Sequence, residues 1–215
     1  MRDQYHEELD GIGETLVEMA GLAGQAMRNA TVALLGANLR VAEEVITSDK
    51  AIDRLQHDLD ARTVDLMARQ QPVAGDLRTL VASLRMSADL ERMGDLANHV
   101  AKVARMRYPG IAVPSELVEI IEKMAVIAEI LSEKVAVIIR DRDTKKALQL
   151  GDDDDEMDIL HRRLFIALLD PAWPHGNEVA IDMTLIGRYY ERFADHAVSV
   201  GRRLYYLVTG EYADI

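Results

Sequence analysis

Apolar residues recur every three or four positions along almost the whole chain, and the breaks in that rhythm mark out six helical segments. The first is expected over about Tyr5 to Leu35, ending at Gly36-Ala37-Asn38, where Gly and Asn tolerate the left-handed backbone that closes helices. The second runs from about Leu39 to Gln70. Gln71-Pro72 ends it, because a residue before proline avoids the helical region and proline has no amide proton. A third extends from about Gly75-Asp76 to Arg107, and Pro109-Gly110 with Pro114 then form the clearest linker. Ser115, followed by Glu116 and Glu119, has the pattern of an N-cap with acids in the first turn, opening a fourth helix to about Arg140. The fifth covers about Thr144 to Leu169. A loop from Asp170 to Gly176 follows, and Asn177 is placed to cap a sixth helix reaching about Thr209. Helices of this size are roughly 40 to 50 Å long, and joined by short turns they pack as antiparallel bundles, so the chain is predicted to be all-α.

The core-facing stripe of the third segment is Met86, Leu90, Met93, Ala97, Val100 and Ala104; in the sixth it is Ile186, Tyr189, Tyr190, Phe193, Ala197, Val200 and Leu204. Met19, Met27, Met67 and Met124 fall in similar stripes and read as bundle core. The chain also repeats itself. Leu90-Glu91-Arg92-Met93-Gly94-Asp95-Leu96-Ala97 matches Tyr190-Glu191-Arg192-Phe193-Ala194-Asp195-His196-Ala197 at a spacing of 100, and Asp49 to Leu55 matches Asp154 to Leu160 at a spacing of 105. Two pseudo-symmetric antiparallel three-helix bundles are therefore expected, over residues 1–110 and 111–215.

Composition narrows what such bundles could do. The net charge of −12 repels a phosphate backbone, and Lys and Arg are scattered among acids, so no nucleic-acid partner is expected. There is no cysteine, which leaves oxygen and imidazole as the only metal ligands. No apolar run approaches the roughly 20 residues that span a bilayer and no signal core opens the chain, so a cytoplasmic protein without membrane insertion is expected. Gly11-Ile-Gly13 completes no phosphate-binding fingerprint, and no Gly-x-x-x-x-Gly-Lys occurs, which argues against an ATPase.

Each repeat carries two acid-x-x-x-acid pairs: Asp49/Asp53 with Glu91/Asp95, and Asp154/Asp158 with Glu191/Asp195. Residues four apart share a helix face, where like charges repel by a few tenths of a kcal/mol. Four such pairs in matching places point to a bound cation that removes the repulsion. At about 100° per residue the acids of the third and sixth segments lie opposite the apolar stripes, so they are expected to be accessible. Carboxylate ligation suits magnesium, calcium, manganese or iron. The competing reading is a solvated face whose acids pair with Arg92, Arg188, Arg192 and Arg202. The six histidines show no ligand spacing beyond Asp158-Ile-Leu-His161, and exposed or capping roles are expected for them.

With those residues in view, the chain resembles the PhoU phosphate-uptake regulators over nearly its whole length. Asp89-Leu-Glu-Arg-Met-Gly-Asp95 resembles that family's third-helix signature, Glu191-Arg-Phe-Ala-Asp195-His-Ala197 its sixth-helix copy, and Gln70 to Arg78 the turn before the first copy. Leu96 and His99 stand where the family often has His and Asn; His196 is retained and Ser199 replaces the second Asn, so only the acids are assigned. The resemblance implies surface clusters of iron or another multivalent cation (manganese, zinc or magnesium) at the acid pairs. It implies a regulatory protein, not an enzyme, that couples the ATPase of a phosphate ABC transporter to a sensor histidine kinase. Such a protein damps the phosphate-starvation response, restrains uptake and forms homodimers. Two alternatives stay open: a carboxylate-bridged dimetal oxidase, which demands Glu-x-x-His on two helices, and a helical adaptor that binds no metal.

Overall fold

The computed structural model describes residues 2–213, and among them there are helices and no strands. In chain order they are α1 (Arg2–Gly36), α2 (Leu39–Gln70), α3 (Ala74–Arg107), a 3-10 turn (Ser115–Leu117), α4 (Val118–Asp141), α5 (Thr144–Leu148), α6 (Leu150–Leu168) and α7 (Gly176–Thr209). Among the described residues no helix is long and apolar enough to cross a membrane. The rods match the predicted segments closely except the fifth, which is broken at Gln149. Asp143 caps α5 by accepting from the amides of Lys145 and Lys146, both at 3.0 Å. The acids that follow the break then occupy the first turn of a new helix, where its positive end favours them.

Helix ends depart from the expected signals in three places. Ala37 takes the left-handed backbone at φ 45°, and Asn38 instead caps α2, its Oδ1 accepting from the Val41 amide at 3.2 Å. Ser115 is not an N-cap. Leu117 N–H donates to the Pro114 carbonyl at 2.9 Å, which draws Ser115 into the 3-10 turn and leaves its hydroxyl donating to Glu116. Asn177 lies inside α7, which begins at Gly176 with φ 77°, and the Gly176 carbonyl accepts from Trp173 Nε1 at 3.0 Å. The end of α2 is as expected: Gln71 is left-handed and donates to the Met67 carbonyl ahead of Pro72.

One continuous hydrophobic core runs through the molecule. Within the first half α1, α2 and α3 pack on one another, and α4, α6 and α7 do so in the second; α1 against α4 and α3 against α7 join the halves. Close approach needs small residues. A Cβ on Gly201 of α7 would sit 2.7 Å from Leu150 Cδ1 and 3.1 Å from the Ala147 carbonyl oxygen, so the kinked α5–α6 corner rests on bare backbone. Gly201→Val is expected to lose roughly 2 to 3 kcal/mol by overpacking in urea unfolding. The exposed helix-interior Gly21, with nothing near its would-be Cβ, should gain up to about 1 kcal/mol as Ala.

The antiparallel seam between α3 and α7 is where the halves are tied by charge. Buried Asp89 stands 3.0 Å from His196 Nδ1 and accepts from Arg203 Nε at 2.5 Å; buried Asp182 accepts from Arg107 Nε at 2.5 Å. These are the only buried carboxylate residues among those described. The positions 100 residues away from Asp89 and Asp182 are Tyr189 and Ala82, so neither tie repeats. Each carboxylate is compensated by an arginine from the facing helix, the condition under which a buried charge is tolerated.

Candidate functional site

The eight predicted acids gather into two clefts, one per repeat. Asp49 and Asp53 on α2 face Glu91 and Asp95 on α3, close enough that Asp53, Asp95 and Asp49 act electrostatically on their neighbours. Asp154 and Asp158 on α6 face Glu191 and Asp195 on α7 in the same way. Gly94 sets the spacing in the first cleft: a Cβ there would meet Ile52 Cδ1 at 2.7 Å and lie 3.7 Å from Asp49 Oδ1. Ala194 holds the equivalent place in the second and is fully buried.

The expectation of open, outward acids needs correcting. Only Asp158 is exposed; the other seven are half-buried, and the Glu191 side chain keeps 12% of its accessibility. A helix packed on several sides has no free back, and here α2 covers the face of α3 opposite its main stripe, as α6 covers that of α7. Burial is accordingly the largest influence on Asp49, Glu91, Asp154 and Glu191. It pushes Asp49, Glu91 and Glu191 above their ordinary range, with neighbouring carboxylates adding to it. Asp154 is pushed up to about 6, by burial first and then by Asp195, Asp158, Glu191 and Asp155.

The polar contacts are of two kinds. Arg92 pairs with Asp95 at 2.8 Å, Arg188 with Glu191, and Arg192 with Asp195 at 3.8 Å, each from three residues away on the same helix, while Arg202 pairs with none of the acids. The half-exposed Arg92–Asp95 and Arg192–Asp195 pairs contribute little. Beside them lie buried atoms with no hydrogen-bond partner: Asp154 Oδ1, Glu191 Oε2, Asn98 Oδ1 and His99 Nδ1. Among the described residues no three His, Asp or Glu side chains already stand in a metal-holding arrangement. The donor set nevertheless fits a hard cation, because buried carboxylate oxygens without partners are stabilised by a positive charge and not by water.

Sequence reasoning missed Asn98, whose Nδ2 donates to Asp49 Oδ2 and so fixes one side of the first cleft. Its position three residues after Asp95 and seven after Glu91 puts it on the same helix face and could have flagged it. Three histidines also differ from expectation. His99, His161 and His196 are partly buried, with His99 against the Tyr189 ring at 5.1 Å and His161 against Phe165 at 4.8 Å. Burial holds His99 and His161 below the usual imidazole range, helped by Lys102 and Arg188 respectively.

The sequence matches the family model for the PhoU domain twice, over residues 16–104 and 121–204. The phosphate-specific transport system accessory protein PhoU homolog 2 of Mycobacterium tuberculosis is 47% identical over 212 residues, covering 99% of this chain and 100% of the relative. Homolog 1 of Mycobacterium leprae is 46% identical over 214 residues, 100% of this chain and 96% of the relative. Crystal structures of PhoU from Streptococcus pneumoniae and Pseudomonas aeruginosa superpose with TM-scores of 0.86 and 0.84 at 23% and 24% identity. They cover 98% and 96% of this chain and the whole of each structure. The chain belongs to the PhoU family.

Proposed function

We propose that this chain is a cytoplasmic regulator of phosphate transport that restrains uptake and damps the phosphate-starvation response. It acts as a homodimeric adaptor between a phosphate ABC transporter's ATPase subunit and a sensor histidine kinase, with multivalent cations in its two acidic clefts. Its kinship to proteins named phosphate transport accessory proteins supports the regulatory, non-enzymatic reading. The observation that carries the metal reading is the half-burial of carboxylates from two facing helices at repeat-related positions, with Asp154 Oδ1 and Glu191 Oε2 of the second cleft buried and without a hydrogen-bond partner. Asp49, Asp53, Glu91 and Asp95 would hold one site, and Asp154, Asp158, Glu191 and Asp195 the other. A bound cation supplies positive charge that offsets carboxylate repulsion. The chain's own residues set the distance between facing helices and exclude part of the surrounding water.

Metal analysis of protein purified without chelator or affinity tag should find iron, manganese, zinc or magnesium in the wild type. It should find most of that metal gone from a variant carrying Glu91→Ala, Asp95→Ala, Glu191→Ala and Asp195→Ala; equal content in both would defeat the metal reading. Deleting the gene should derepress a phosphate-starvation reporter in phosphate-rich medium. An unchanged reporter would count against the regulatory role.

A further inference from the structure

Beyond the acidic clefts, the α3/α7 seam opens into a cavity of about 210 Å³ with a different chemistry. In a chain of net charge −12, Arg85, Arg202 and Arg203 all line it. Among the described residues no carboxylate ion-pairs with Arg85 or Arg202, and both are exposed. Arg203 gives Asp89 its Nε alone. Two tyrosines, Tyr206 and Tyr212, line it as well, their rings parallel to within 17° at 4.7 Å. Tyr212 is 78% exposed, and Arg78 stands 5.9 Å from the Tyr206 ring centre. Val81 and Ala82 supply the apolar part of the lining.

Each half of this lining selects against a simple ligand. An apolar molecule would cover guanidinium groups without replacing their water, and inorganic phosphate would leave the tyrosine faces and apolar wall unused. Arginine forks match phosphate oxygens two at a time, and tyrosine faces stack on planar bases. A nucleic-acid polymer is disfavoured by the chain's overall charge. The volume lies below the roughly 300 to 1,000 Å³ of pockets that engulf a ligand, so part of the occupant would remain across the open mouth. We propose that this cavity binds a nucleoside phosphate, with its base against the Tyr206/Tyr212 pair and its phosphates on Arg85 and Arg202. The site does not depend on the metal reading.

Isothermal titration of the full chain with ATP, adenosine and inorganic tripolyphosphate tests this, in chelator so that no cation in the acidic clefts can recruit phosphate. ATP should bind, with adenosine and tripolyphosphate each at least tenfold weaker. Arg85→Ala with Arg202→Ala should weaken ATP at least tenfold, and Tyr212→Ala at least threefold, with the circular dichroism of both variants unaltered. The four-acid variant should bind ATP as the wild type does. Undetectable ATP binding, binding indifferent to the arginine pair, or tripolyphosphate binding as tightly as ATP would each overturn the assignment.

Discussion

Phe193→Ala is expected to lose about 3 to 5 kcal/mol of unfolding free energy, the range for emptying a closed core site of a large aromatic. Phe193 is fully buried, and it lies midway between Glu191 and Asp195 on α7, so one turn of helix serves the core with one face and the acidic cleft with the other. Set against a typical total of about 5 to 15 kcal/mol, the loss is a large fraction of what holds a domain together. Urea unfolding at 25 °C would show it as a lower midpoint with little change in slope. Phe193→Leu, which keeps most of the volume, should cost markedly less and serves if the alanine variant does not fold. A loss under about 1 kcal/mol for alanine would mean that the α7 stripe does not pack as described.

That stripe is legible in the sequence because helical periodicity reports burial directly. Met86, Leu90, Met93, Ala97, Val100 and Ala104 are all buried, as are Ile186, Tyr190, Phe193, Ala197, Val200 and Leu204; Tyr189 is only half-buried, facing His99 across the seam. The acid pairs are legible for a second reason, their recurrence at matching places. What periodicity cannot show is how many neighbours each helix has. A single stripe per helix implies one buried face, yet α3 is packed by α1, α2 and α7 together, and its acids end up in a groove.

Local end signals fail for a related reason. Ser115 and Asn177 have the chemistry of caps, but Pro114 and the Trp173–Gly176 turn place the chain differently, and cap propensity is too weak to resist. The ties Asp89–Arg203 and Arg107–Asp182 lie beyond the reach of any pattern in the chain. They join residues 114 and 75 positions apart, and they break the repeat where the alignment suggests symmetry.

The cleft acids carry an energetic signature that a single isosteric change exposes. Asp154→Asn, studied in chelator, is expected to make the protein more stable at pH 7 and no different below about pH 4. Asp154 has its proton affinity raised from the ordinary 3.8 to about 6, first by burial and then by Asp195, Asp158 and Glu191. Below 3.8 the folded and unfolded forms both hold the proton, so the residue is neutral to stability. As pH rises the unfolded chain releases it first, which lowers stability until the folded form also ionises near 6. Each tenfold change in proton affinity is about 1.4 kcal/mol, which would give about 3 kcal/mol for a fully enclosed group. The site is half-open to solvent, and screening brings the expected gain to about 1 to 2 kcal/mol. For a chain of this size that is roughly 3 to 6 °C in melting temperature. If the proposed cation site is real, added cation should reverse the order at pH 7, raising the wild type and doing less for the variant, because the charge that penalises the cleft without a cation is the charge that would hold one. Melting curves of both proteins from about pH 4 to 7, with and without cation, decide the matter; a difference that stays constant across that range would mean the carboxylate is not under strain from burial and its neighbours.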